Sequence, residues 1–551
     1  MRTRSRPQSG RRSFLPTIVA AAVVAFAIAS HRVVASDVDV LLKMAPDDAF
    51  YYLQIARHLA ADGRSTFDGV SSTNGYHPLW MAILSGLATI VADKTTFLRC
   101  AIGLSLALHA AVAILVFRVV RRLVDEAWGW TAAACWLINP LAFSIAITTT
   151  EAAVYALTAV TVFLTHLSLM RCSAAGEPPP GTLAWRYGSA LGLLCLARTD
   201  GLVVVALALT WMAGIAFRRT RSAFGWARQL VTCVGAVVLV MAPWWLFSLS
   251  QVGTIVQDSG AMKMLWAADA FPTAFSRLQN IGDTLGFFVR RTLTLMTVWN
   301  YSWRTFTMAI IVLAIAPVMV LVRQHESLEA RALRAIGTVF VALTVVYGAA
   351  FIERQIWWLT LPCLSTVLLL FIAFPTWLRS LRIGPAIESS ARVGLVLLAI
   401  ALFVRWHVKG HTPYPWQPDV RRSQLAIESV VPSPRQIGCF NAGIPAFFGS
   451  GRVVALDGLV NHDARLAWTG RRLDEFIAKN DIAYIADEER IMARAQRFSR
   501  TPIPLATIAS YPLRGWPTGK RVLWRISRGA LRAPLTKAVP HTPLTKAVPR
   551  T

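Results

Sequence analysis

The sequence predicts an all-α polytopic membrane protein with a small C-terminal α/β domain. Three observations carry that prediction. Apolar runs long enough to cross a bilayer recur from Phe14 to about His407. The chain is 55% hydrophobic and only 15% charged, with a mean hydropathy of +0.50, well outside the soluble range. From Lys409 the long apolar runs give way to short strand-like and helix-like segments divided by turn residues.

The elements follow in order. Residues 1–13 form a basic, cytoplasmic N-terminus. Arg11 and Arg12 before Ser13-Phe14-Leu15 resemble a twin-arginine signal, and Val34-Ala35-Ser36 resembles a cleavage site. The many spans that follow favour an uncleaved first membrane helix instead. Residues 14–408 form the transmembrane domain, with the first extracytoplasmic loop at 35–96.

The expected spans are Phe14–Val34, Phe97–Val119, Gly129–Thr148, Ala152–Met170, Tyr187–Ala197, Gly201–Phe217, Leu230–Leu249, Phe306–Val322, Ala335–Phe351, Ile356–Trp377 and Val393–His407. That is about eleven crossings, with thirteen as the alternative. Tyr187–Ala197 is too short to cross alone, so "ARTDG" (Ala197 to Gly201) reads as the tip of a short hairpin. Pro78–Ala92 and Ile281–Trp299 read as interfacial or re-entrant.

The net charge of +27 collects in short loops, as in "RVVRR" (Arg118 to Arg122), "RRTR" (Arg218 to Arg221) and "RSLR" (Arg379 to Arg382). All of these fall on the inner side of the expected topology. The charges were not used to choose the spans, so this agreement supports the topology. The basic excess is therefore read as orientation, with no nucleic acid as partner. The seven cysteines have no disulfide or metal spacing.

Residues 409–422 read as a proline-rich linker and 423–528 as an extracytoplasmic α/β domain. "RQIGCFNAG", "GRVVALDGLVNHD" and "DIAYIAD" supply strands, and "RRLDEFIAKN" supplies a helix. Residues 529–551 repeat "PLTKAVP" and read as a disordered tail.

Function is sought where polar groups gather on one side. Pro46 suits a first helical position, putting Asp47 and Asp48 in the first turn of an amphipathic helix at the membrane interface. One carboxylate is explained by the helix dipole. Two adjacent ones repel unless a cation or proton lies between them. The expected topology places Asp47, Asp48, His77, Glu151, Arg198 and Asp200 on the same outer side. Each has a bland reading alone: Glu151 as a charge at a span mouth, His77 as a turn residue, Asp200 as a partner for Arg198.

The stretch "PDDAFYYLQIARHLA…FDG…TNGYHPLW" resembles the first extracytoplasmic loop of the GT-C glycosyltransferases, including arabinosyl- and mannosyltransferase-like bacterial membrane enzymes. "GLLCLARTDGLVVV", "APWWLFSLSQVGTIVQDSG", "ERQIWWLTLP" and "NAGIPAFFGSGRVVALDGLVN" resemble later elements of the same family, in order. The likeness spans most of residues 14 to 490. It departs at Ser248, where asparagine is usual, at "VQDSG", which replaces a proline form, and after Arg354, where tyrosine is usual.

The resemblance implies transfer of a sugar from a polyprenyl-phosphate donor to a glycan, lipid or protein hydroxyl at a bacterial inner membrane. It assigns catalysis to Asp47, Asp48 and Glu151, with Asp47 as the base. Arg354, then Lys263 and Arg198, are the candidates for the donor phosphate, because leaving-group charge needs a cation. Asn74, Tyr76 and His77 would line the acceptor loop. Asp48, Glu151 and His77 would suit Mg2+ or Mn2+. Two other classes stay open: a transporter or flippase of lipid-linked sugars, and a non-catalytic glycan-binding scaffold.

Overall fold

The computed structural model describes residues 15–217, 222–297, 327–352, 354–410, 412–451, 453–516 and 519–527. The span Phe306–Val322, the basic N-terminus, the Arg218 to Arg221 cluster and the repeat tail lie outside the described residues.

The chain is a multi-pass helical membrane protein. Seven described helices are long and apolar enough to cross: Leu15–Val34, Lys94–Leu123, Ala152–Ala174, Ala223–Val252, Leu328–Ala350, Ile356–Ser380 and Pro385–Lys409. A bent pair, Glu126–Leu137 and Pro140–Ala146, angled by 56°, passes the same test only when taken together, as one broken span or a re-entrant loop. The break has a local cause. Asn139 caps the second piece by accepting from the Ala142 amide at 3.0 Å, and Pro140 opens it without a donor to satisfy.

The expected hairpin is present as Gly181–Ala197 and Gly201–Ala216, with Arg198 and Asp200 at its tip. Its first arm is longer than the apolar run implied. It starts at Gly181, after Pro178-Pro179-Pro180, and its 17 residues rise about 25 Å. Trp185 and Arg186 had hidden the first turns from a hydropathy reading. Gly188 lets this arm meet the helix Ala223–Val252 closely: a Cβ there would lie 2.3 Å from the Cys233 carbonyl oxygen. Pro78–Ala88 is a helix too short to cross. The helix Ala274–Thr297 carries Arg277, Asn280, Asp283, Arg290 and Arg291 and does not qualify as an apolar span.

The C-terminal part holds a five-stranded sheet in the order β2-β1-β3-β5-β4. The strands are β1 (Ile437–Cys439), β2 (Val453–Ala455), β3 (Tyr484–Asp487), β4 (Leu505–Pro512) and β5 (Lys520–Ile526). β1 pairs parallel with β2 and β3, while β5 runs antiparallel to β3 and β4. The stretch expected as a linker is partly ordered: the helix Gln417–Val430 begins inside it.

This domain is docked tightly. Phe50 packs on Phe447 and Phe448 with centroids 5.6 and 5.8 Å apart. Asn461 Nδ2 donates to Asp68 Oδ2 at 2.9 Å, and the Tyr414 amide donates to the Lys43 carbonyl at 3.0 Å. The first-loop helix, Asp47–Asp62, consequently has Ala49 through Ala56 all buried. An amphipathic helix at the interface was expected. The α/β domain lies over the side that carries Asp47, Phe50 and Tyr51, while Arg57 and His58 stay half-buried and Asp62 exposed.

Candidate active site

A cavity of about 570 Å³ lies where the first loop, the hairpin tip, the helices Asp258–Ala270 and Leu328–Ala350, and the α/β domain meet. Asp48, Tyr76, His77, Glu151, Arg198, Asp200 and Lys263 all line it. Five of the six polar groups expected on one side of the membrane, all but Asp47, thus converge on one chamber. Trp244, Trp245, Tyr347, Trp357 and Trp358 supply much of the rest of its wall.

The adjacent acids are divided. Asp48 faces the cavity, its side chain 32% exposed, with Oδ2 3.9 Å from Lys263 Nζ. Asp47 is not among the lining residues. Its carboxylate turns the other way and accepts from the Gly443 and Ile444 amides at 2.9 and 2.8 Å. Burial pushes its pKa up to about 6, against the opposing pull of those two amides. Successive residues on a helix point about 100° apart, so one acid of a pair reaches the cavity and its neighbour the domain above.

Arg198 is fully engaged. Nη1 donates to Glu151 Oε1, Nε to Asp200 Oδ1 at 3.1 Å and Nη2 to the Tyr347 hydroxyl at 2.9 Å. The Tyr347 hydroxyl in turn donates to Asp200 Oδ2. This closed network holds the mouths of three helices together. The pairing of Asp200 with Arg198 was expected; Tyr347 was missed, because a tyrosine near a span end reads as an ordinary interface aromatic. His77 Nε2 lies 3.7 Å from Glu151, and its buried Nδ1 has no hydrogen-bond partner. Burial drops the His77 pKa to about 4, outweighing the nearby Glu151 carboxylate, so the imidazole is neutral at pH 7.

Lys263 and Arg198 are the cationic side chains among the described lining residues. The Lys263 ammonium lies 5.7 Å from the centre of the Trp358 ring. Arg354 is outside the cavity: Nη2 donates to Asn280 Oδ1 at 2.5 Å, and Asp283 lies 4.0 Å away. Asn74 is outside it too. Its Nδ2 donates to Ser248 Oγ at 2.7 Å and to the Val256 carbonyl at 2.9 Å, and its Oδ1 accepts from the Asp258 amide at 2.9 Å. Asn74 therefore latches the first loop to the segment 248–258. Ser248, which stands where asparagine is usual, is its partner. Tyr76 lines the cavity, its hydroxyl 2.7 Å from Ser65 Oγ and its ring 5.4 Å from Trp244.

The expected metal set does not assemble. Glu151 is held by Arg198, and Asp48 lies beside a lysine. Among the described residues no group of three or more His, Cys, Asp or Glu is placed to hold a metal ion. These residues as arranged do not fit Mg2+ or Mn2+.

The α/β domain forms part of the chamber through Leu459 and Val460. Gly75 makes that approach possible: a Cβ there would fall 1.8 Å from the Leu459 carbonyl oxygen.

No protein-family model matches the sequence, and no curated protein matches it. Solved structures do match the fold. ArnT from Cupriavidus metallidurans bound to undecaprenyl phosphate aligns over 96% of this chain and 100% of its own, at 13% identity and a TM-score of 0.50. Its apo form gives a TM-score of 0.51 at the same coverage and identity. The apo Archaeoglobus fulgidus oligosaccharyltransferase aligns over 94% of this chain and 77% of its own, at 12% identity and a TM-score of 0.51. The chain therefore shares its overall fold with these solved structures.

Proposed function

We propose that this protein is a membrane glycosyltransferase that moves a sugar from a polyprenyl-phosphate donor to an acceptor hydroxyl. The observation that carries the reading is Asp48 beside Lys263 in an aromatic-walled chamber between the membrane helices and the α/β domain. Two of the similar solved structures are of ArnT, one bound to undecaprenyl phosphate, which supports a lipid-phosphate donor.

In this reading Lys263 meets the donor phosphate and absorbs the charge it gains on leaving. The bond between the sugar C1 and the phosphate oxygen breaks, and its electron pair stays on the phosphate. The acceptor oxygen forms the new bond to C1 and gives its proton to Asp48. Lys263 and Asp48 neutralise each other before substrate arrives. A phosphate drawing the ammonium leaves the carboxylate free to accept a proton. Asp48 takes the base role that the family resemblance gave to Asp47, because Asp47 is committed to backbone amides. Neutral His77 and Tyr76 are suited to orient the acceptor hydroxyl. Arg198 and Glu151 hold the wall as an ion pair. The Trp244, Trp245 and Trp358 rings offer apolar faces to a sugar or an isoprenoid.

The acceptor is a glycan, lipid or protein reached from the side of the α/β domain. The proposed setting is a bacterial inner membrane, with the N-terminus cytoplasmic and that domain outside. The test is release and transfer of sugar from a panel of radiolabelled polyprenyl-phosphate sugars by wild type and Asp48→Asn. Release by wild type alone supports the reading. Equal release by both removes Asp48 from the chemistry, and tight binding without any turnover favours a lipid-sugar carrier.

A further inference from the structure

The helix Asp258–Ala270 has two working faces. One, through Ser259, Gly260, Lys263 and Met264, lines the cavity. The other, at positions 258, 262, 266 and 269, follows the spacing of one helix stripe and lies on the α/β domain. Fully buried Asp258 sits at its start, with Oδ1 2.9 Å from His462 Nδ1 and 2.5 Å from Arg465 Nε. Met262 is buried against Gly458, where a Cβ would lie 3.1 Å from its sulfur. The Trp266 ring meets Trp468 edge-on at 6.3 Å, with the Arg494 guanidinium 5.0 Å above it. Asp269 pairs with Arg497 at 3.1 Å.

A buried ion pair adds little net stability over apolar residues of the same shape; what it supplies is a defined geometry. Asp258 therefore sets where the helix sits, and Lys263 follows one and a half turns later. We propose that Asp258 is a positioning residue. Held by Arg465 and His462 of the α/β domain, it keeps Lys263 beside Asp48, which makes that domain a working part of the transfer site. The inference rests on Lys263 meeting the donor phosphate.

The test uses the full chain in nanodiscs and two independent readouts. In amide hydrogen exchange, Asp258→Asn and Arg465→Ala are expected to speed exchange across residues 258–270 at least tenfold. The helices Lys94–Leu123 and Ala152–Ala174 should stay as in wild type. Unchanged exchange at 258–270 overturns the clamp whatever the ligand. The second readout is binding of undecaprenyl phosphate, used as the probe. Lys263→Ala and Asp258→Asn are each expected to weaken binding at least tenfold. The double variant should bind no more weakly than Lys263→Ala alone, because Asp258 acts only through that ammonium. Arg465→Lys, which keeps the charge, should recover most of the binding lost in Arg465→Ala. Arg497→Ala, at the exposed end, should change binding less than twofold. Effects that multiply in the double variant overturn the positioning role, as does full binding by Asp258→Asn. If wild type holds no undecaprenyl phosphate, the phosphate role of Lys263 falls, while the exchange result decides the clamp by itself.

Discussion

The Asp47 carboxylate holds the Gly443 amide at 2.9 Å and, through its second oxygen, the Ile444 amide at 2.8 Å, tying the first loop to the α/β domain. Removing it leaves two buried donors unpaired, each costing about 1–3 kcal/mol. Asp47→Ala should lower the melting temperature of the purified protein by several degrees. Asp48→Asn should leave melting unchanged and reduce sugar transfer by about 10²–10⁴-fold, the usual contribution of a proton-accepting group. The reverse pattern would return the base role to Asp47.

Docking should weaken as pH rises. Asp457 Oδ2 lies 2.8 Å from the Tyr51 hydroxyl, which is also 3.0 Å from the Phe440 carbonyl. A protonated Asp457 can donate to Tyr51 while Tyr51 donates to Phe440, completing the chain. Burial pushes the Asp457 pKa up to about 8 and that of Asp47 to about 6, both from 3.8. The folded state therefore binds more protons than the unfolded one, so stability falls with rising pH. The Asp47 part is lost between pH 3.8 and about 6, and the Asp457 part between 3.8 and about 8. Thermal melts between pH 6 and 8 should show this slope in wild type and a much flatter one in Asp457→Asn. Identical slopes would sink the assignment.

Gly75→Ala puts a methyl group into the Leu459 carbonyl oxygen. Backbone cannot swing aside as a side chain can, so the domain must shift, at about 1–3 kcal/mol. Because Leu459 also lines the cavity, transfer activity should fall together with stability. A fully active, equally stable variant would mean that the close approach is dispensable.

Arg198→Ala strands Glu151 and Asp200 as buried, uncompensated charges, costing about 3–5 kcal/mol. Arg198→Lys should recover only part of this, since one ammonium cannot reproduce the planar fork that meets Glu151, Asp200 and Tyr347. Expression level and melting temperature in detergent report both effects. Full rescue by lysine would show that charge alone suffices there.

A chelator provides a further check. With Glu151 held by Arg198 and Asp48 beside Lys263, EDTA should leave the Asp48-dependent turnover unchanged. A loss reversed by Mn2+ would mean that the carboxylates regroup around an ion when substrate binds.

Much of the fold was legible because it depends on local quantities. An apolar run needs a certain length to cross at 1.5 Å per residue, and seven of the eleven expected spans fall on described helices long and apolar enough to cross, with an eighth on the bent pair. The gathering of Asp48, His77, Glu151, Arg198 and Asp200 was legible too, since span parity alone brings them to one end of the bundle. The early start of the helix at Gly181 was not, because Trp185 and Arg186 interrupt the apolar run while its helical hydrogen bonds continue through them.

The sequence by itself determined the membrane class, the helical bundle, the C-terminal α/β domain and the gathering of polar groups at one end of the bundle. Each follows from periodicity, length and charge within short windows. Only the tertiary structure decided which of two adjacent aspartates faces the cavity. Only it revealed that Asn74 is a latch, that Arg354 lies outside, and that Tyr347, Asp258 and Arg465 matter. Those outcomes depend on which face of a helix meets which distant partner: Asp47 meets Gly443 across 396 residues and Arg198 meets Tyr347 across 149. A local pattern carries no record of such contacts; packing creates them.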